Sequence, residues 1–354
     1  MIAIYSFGFF DLSLKLVDPC AIVRYGIGEI EGFLQDTSKC KIAAIEFDYN
    51  NNNHTIDEVH RLHPHCDLIV VQSMELIPAQ VQALYDMDME NIVFVLNGKI
   101  PNTQIQKALC IEEYTWLNST AYLYQHAKPE LIFDKLTPFQ PKSYVFDVMY
   151  GRPRPHRQVV KQKISNSSVA HCFLQNDIVP VIEKEFTDKS IWWEDDILVD
   201  EDDYRKCWYH GQNLMLSQVI PFKVYNQSTA SIVMETIYQD DLFFPTEKIT
   251  KAFLSLRLFV FVGTQHYLKN LRELGFQTFE HIIDEGYDNI SDDQQRWNAA
   301  MDQALWLAEQ PQETWIKKAI PQLLHNYQHI MSLPCNKTNQ IVEQTLCEKG
   351  YHRK

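Results

Sequence analysis

Ile42-Ala43-Ala44-Ile45-Glu46-Phe47 is an apolar run that ends beside a carboxylate, and Leu68-Ile69-Val70-Val71-Gln72 repeats the pattern further on. Outward from these lie two more such runs, residues 2–5 before and 92–97 after, each β-branched or aromatic and each closing on a polar residue. Between them, residues 55–62 and 78–85 carry helical spacing. Strand-then-helix units at roughly 25-residue spacing imply parallel strands joined by crossover helices. Ligands of such sheets gather at the carboxyl ends of the strands. Here those ends bring Glu46, Asp48, Gln72, Glu75 and Asn97.

The run Leu136-Thr137-Pro138-Phe139-Gln140-Pro141 breaks the pattern and reads as a linker. A second α/β region follows, with strands expected at 144–149, 164–172, 222–224, 231–235 and 259–263. Residues 192–204 are acidic and read as a surface insertion. From Gln294 to about Leu333 the chain reads as helices, with Trp297, Ala300, Leu305 and Leu307 on one side. The expected division is therefore an N-terminal Rossmann-like domain over 1–135, a second over 136–300, and C-terminal helices over 301–354 that pack back towards the first.

The bulk composition suits that plan. The 354 residues are 45% hydrophobic and 12% aromatic, enough for two cores. A formal charge of −14, from 46 acidic against 32 basic residues, argues against a general polyanion binder. No stretch approaches the ~18–20 apolar residues of a membrane helix. The opening residues lack the basic start and cleavage site of a secretion signal. The eight cysteines form no CxxC pair. Together these lead us to expect a cytoplasmic protein without an integral membrane segment.

Within this acidic chain, Gly151-Arg152-Pro153-Arg154-Pro155-His156-Arg157 concentrates three arginines and a histidine at a strand-to-helix junction. Helix N-termini offer free N–H groups and Arg offers bidentate forks, so a diphosphate suits this place. A solvated basic turn is the plain alternative. Further on, a strand ends at Glu235, and Thr246-Glu247-Lys248 reads as an N-cap with a lysine in the first turn. Another apolar strand closes on Gly263, where a ligand or loop can approach the backbone.

Glu235, Thr246-Glu247-Lys248 and the strand to Gly263 resemble the donor-binding signature of the α-1,3-fucosyltransferase family. The longer string through Leu271-Arg272-Glu273-Leu274-Gly275-Phe276 to Asp284-Glu285-Gly286-Tyr287-Asp288 resembles uncharacterised glycosyltransferase-like proteins common in phages and marine bacteria. The resemblance covers about residues 144–300. It departs at Thr236, where the family has Asn, and at Leu258, where it has Pro.

The resemblance implies two Rossmann-like domains facing a cleft, the GT-B arrangement, and a nucleotide-sugar donor held by the second domain. Lys248, Arg157, Arg154 and Arg152 would take the diphosphate, and Glu235 or Glu247 the ribose. With cations on the phosphates we expect no metal and no other cofactor. Asp200-Glu201-Asp202 has the D-x-D form of metal-dependent enzymes but sits in a solvated acidic run, and His60, His63 and His65 form no ligand set. The expected activity is inverting transfer to a hydroxyl acceptor, with Glu75, Asp48 or Glu46 as the base. A glycan is the default acceptor. A modified base in DNA is the alternative, for which Arg61, Lys99 and Lys107 are meagre material. A non-catalytic nucleotide- or glycan-binding protein is the alternative of another class.

Overall fold

The computed structural model describes residues 2–7, 22–26, 28–47, 52–73, 75, 78–100, 104–127, 135–149, 153–164, 170–173, 198–199, 206–209, 212–215, 218–239, 241–333 and 337–348. It divides into two compact units, residues 1–115 with 334–354, and residues 116–333.

The first unit runs β1 (Ile2–Phe7), β2 (Ile22–Tyr25), α1 (Ile30–Gln35), β3 (Cys40–Glu46), α2 (Asn52–Leu62), β4 (Leu68–Ser73), α3 (Pro78–Asp86), β5 (Ile92–Leu96) and β6 (Leu109–Glu112). Its strands form one parallel sheet in the order β2-β1-β3-β4-β5-β6. The order reverses between β1 and β3, a topological switch point of the doubly wound type. Alternate residues supply one face: Ile2, Ile4, Ile42, Ala44, Val70, Val93 and Val95 form a cluster with Val342 of the C-terminal helix Lys337–Glu348. Ala3, Ala43, Ile69 and Val71 of the other face are equally buried. Burial on both faces is why these strands read as continuous apolar runs.

The second unit opens within α4 (Thr115–Ala127), from Trp116 on, followed by β7 (Tyr144–Met149), α5 (Pro155–Ile164) and β8 (Ala170–Phe173). Next come the short antiparallel strands β9 (Leu198–Val199), β10 (Lys206–Tyr209) and β11 (Gln212–Met215). The chain continues with α6 (Phe222–Tyr225), β12 (Ser228–Val233), α7 (Glu247–Leu254), β13 (Leu258–Phe261), α8 (Tyr267–Glu273), α9 (Asp293–Glu309) and α10 (Gln312–Ser332). The main sheet is parallel, in the order β13-β12-β7-β8. Its switch point lies between β7 and β12. Both units are thus α/β with parallel sheets, as the strand-helix alternation implies.

Several boundaries differ from the sequence reading. The units part at Thr115 and Trp116 rather than at 135 and 136, because α4 is tied into the second unit. Its Tyr124 hydroxyl accepts the Ile220 N–H at 2.8 Å, and Leu117 O accepts the Thr250 hydroxyl at 3.0 Å. The expected linker belongs there too, with Thr137 N–H on Asn226 Oδ1 at 3.1 Å. The helices expected as one region over 301–354 divide at Leu333. Residues 222–224 form a helical turn, not a strand: Tyr225 and Asn226 donate back to Pro221 O and Phe222 O. Ile164 closes α5 because, with Val159 and Val160, it completes a helical apolar stripe. In α9 the buried stripe is Trp297, Ala300, Met301, Ala304 and Leu307, so Ala304 takes the place expected for Leu305. His63–His65 form a 3₁₀ turn. Apart from Leu198 and Val199, the acidic stretch 192–204 lies outside the described residues.

Candidate functional site

The two segments that concentrate charge in the sequence meet at the switch point of the second sheet. Arg154, His156 and Arg157 start α5 just after β7, and Glu235 follows β12. His156 Nε2 lies 3.1 Å from Glu235 O, and Arg157 Nη2 donates to the same carbonyl at 3.5 Å. A carbonyl only accepts, so Nε2 carries a hydrogen. Burial, reinforced by the charges of Arg157 and Arg154, holds His156 down at about 3. Its ring stacks on Tyr238 at 4.7 Å and packs against Trp297 at 5.8 Å. The Arg154 guanidinium sits 5.9 Å from the centre of the Tyr238 ring. Arg157, 6% exposed, is lowered to about 10 by burial and then by Arg154, and stays charged at neutral pH.

Thr246 caps α7 as its sequence position implies, accepting the Lys248 N–H at 3.3 Å. The Glu235 carboxylate, 1% exposed, holds this cap: it accepts the Thr246 N–H at 2.9 Å and the Thr246 hydroxyl at 2.6 Å. The Tyr267 hydroxyl donates to it at 3.0 Å. Burial pushes Glu235 above the usual carboxylate range, against the pull of Lys248. Glu247 is opposite in outcome. Burial raises it, but Lys248 and Lys251 together hold it low. Lys251, one turn on and 7% exposed, is lowered to about 8 by burial. Lys248 keeps 30% of its side chain exposed, with Nζ 2.9 Å from Glu247 Oε1, 3.1 Å from Thr246 Oγ1 and 3.3 Å from Thr236 Oγ1.

Gly263 has an internal reason to be glycine. A Cβ there would collide with Cζ of Phe261, whose ring is stacked at 3.6 Å on Tyr267. Its carbonyl accepts Arg296 Nε at 2.9 Å and Trp297 Nε1 at 2.8 Å. The Asp284–Asp288 string is likewise occupied with scaffolding. Glu285 accepts from Thr278 Oγ1 and the Phe279 N–H, each at 2.6 Å, and from Arg272 at 2.9 Å. Asp288 takes the Leu268 and Lys269 N–H groups that open α8, each at 3.0 Å.

In the first unit, Glu46 ends β3 beside that sheet's switch point and is half-buried, as is Glu75 beyond β4. Asp48, Gly151, Arg152 and Asp200-Glu201-Asp202 lie outside the described residues. Asn97, fully buried, donates to Ser73 O at 2.5 Å and accepts the Thr115 N–H at 2.8 Å. Among the described residues no group of His, Cys, Asp and Glu could hold a metal. No described helix is long and apolar enough to cross a membrane. Burial pushes the Cys66 thiol up to about 12 and the Cys110 thiol to about 11, which keeps both from acting as thiolates near neutrality. Tyr238 and Tyr267, which help complete the site, carry no sequence signal beyond being aromatic, while Trp297 is legible only as part of an apolar helix face.

No protein-family model and no curated protein sequence matches the chain. Among solved structures it is similar to a UDP-forming α,α-trehalose-phosphate synthase from Burkholderia xenovorans, at 11% identity over 87% of this chain and 73% of that one, with a TM-score of 0.38. A likeness so distant leaves the chemistry to the residues themselves.

Proposed function

We propose that the chain is a glycosyltransferase that binds a nucleotide-sugar donor at the β7/β12 switch point and transfers the sugar, with inversion, to a hydroxyl acceptor. One observation carries the reading: two cationic segments some 90 residues apart converge on Glu235 at a helix-lined sheet edge. Arg154, Arg157 and Lys248 form a cationic rim suited to a diphosphate, with Arg152 as the further arginine of that segment. Glu247, paired with Lys248, is the carboxylate we assign to a ribose hydroxyl.

In the reaction the bond from the anomeric carbon to the diphosphate oxygen breaks as the bond to the acceptor oxygen forms. The electron pair leaves with the diphosphate, where Lys248 and the arginines stabilise the growing charge without a divalent metal. The acceptor's proton passes to a carboxylate, for which the sequence offers Glu46, Glu75 and Asp48. A glycan fits as acceptor better than DNA, since the basic residues available for a DNA face are few and Arg61 is paired with Glu31.

Thermal unfolding against UDP-, GDP-, CMP- and dTDP-sugars, with EDTA and with Mn²⁺, tests this. At a hundredfold excess over Kd the matching donor adds about 2.7 kcal/mol, with or without metal. Lys248→Ala removes the shift and keeps the fold. Silence across the panel, or an undiminished shift in Lys248→Ala, overturns the reading.

A further inference from the structure

A carboxylate has about four lone-pair positions. In Glu235 three are taken from inside: Oε1 by the Thr246 N–H and the Tyr267 hydroxyl, Oε2 by the Thr246 hydroxyl. Lys248 Nζ stands 3.9 Å from Oε2. With 1% of the residue exposed, no face remains for the two hydroxyls of a ribose. The bonds instead run outward to the cations. Thr246 spends its one hydroxyl hydrogen on Glu235, which turns its lone pairs to the Lys248 N–H and Nζ. On the other side the Glu235 carbonyl receives His156 and Arg157.

We propose that Glu235 is a positioning residue that locks both phosphate-binding arms into one geometry, and that it does not bind the ribose. This rests on the donor-site reading above. Its side chain fixes the Thr246 cap from which Lys248 projects, and its main chain fixes the first turn of α5. Loosening it weakens the grip on a diphosphate and leaves recognition of the ribose as it was.

Calorimetric titration of wild type and Glu235→Gln with UDP and GDP, their monophosphates, and their 2′-deoxy and 3′-deoxy forms tests this. Gln keeps one acceptor but turns an NH₂ towards Thr246 and Lys248. Diphosphate affinity is expected to fall about tenfold, with a smaller preference for diphosphate over monophosphate. The penalty for removing a ribose hydroxyl stays the same as in wild type. A lost deoxy penalty with the diphosphate preference intact overturns the proposal, as does no change in either. Tyr267→Phe removes a single donor to Glu235 and gives the same pattern at about threefold if Glu235→Gln fails to fold. A wild type that ignores every one of these nucleotides refutes the donor site itself, a result distinct from a lost deoxy penalty.

Discussion

The carboxyl edges of the two parallel sheets use buried polar residues alike, and at the second of them cations stand beside the buried group. At the first edge Asn97, fully buried, joins Ser73 O to the Thr115 N–H, and Ser73 donates to Gln80 at 2.8 Å. The Ser73 carbonyl, the Thr115 N–H and the Gln80 amide are neutral groups. At the second edge Glu235 does equivalent work on Thr246, but Lys248, Arg154 and Arg157 stand around it. A buried polar residue at a strand end is thus a poor marker of a ligand, since both sheets need one to close their loops. The marker is a charge left half in water that internal partners have already aimed.

The largest expected effect concerns the neutral histidine at the charged edge. His156 has an ordinary value of 6.5 and a folded value of about 3. Between those values the unfolded chain binds a proton that the folded chain refuses. The stability is therefore fully present above pH 6.5 and is lost as pH falls towards 3, by up to roughly 5 kcal/mol. Urea unfolding at pH 7 and pH 4 should show a steeper loss in wild type than in His156→Gln. Parallel losses would mean that the imidazole takes up its proton freely, and the second edge would then be as loosely held as an ordinary surface turn.

What could be read from the sequence follows from how local each feature is. The buried strands were legible because both faces are apolar, and the cationic segments because they interrupt an acidic chain. Thr246 was legible as a cap because capping is decided within three residues. The bond from His156 to Glu235 O spans 79 positions, and nothing local announces it. The same holds for Tyr267 on Glu235 and for Tyr238 under Arg154. Residues 222–224 misled because Phe and Val look like strand, while Pro221 before them starts a turn.

Gly263 allows a sharper cut between scaffold and ligand contact. An added Cβ meets the Phe261 ring, which cannot retreat because Tyr267 lies against it. Gly263→Ala is expected to cost about 2 kcal/mol of stability, seen as a lowered Tm. Donor affinity measured well below that Tm should change less than threefold. An unchanged Tm with a large loss of affinity would instead make this glycine the point where a ligand approaches the backbone.

The smallest effect tests the neutral edge itself. Asn97→Ala removes the group that accepts the first N–H of α4 and leaves Ser73 O without its side-chain donor. The two losses together should cost about 1–2 kcal/mol in urea unfolding. Nucleotide affinity should not change, because the proposed donor groups lie at the edge of the other sheet. Asn97→Asp is the more telling variant. It can still accept the Thr115 N–H, but it faces Ser73 O with a second acceptor, so the ionised form is repelled. Its stability should therefore recover as pH falls and the carboxylate takes a proton. An Asn97→Ala protein of wild-type stability with altered substrate affinity would break the comparison, because the first edge would then hold a ligand through a neutral amide.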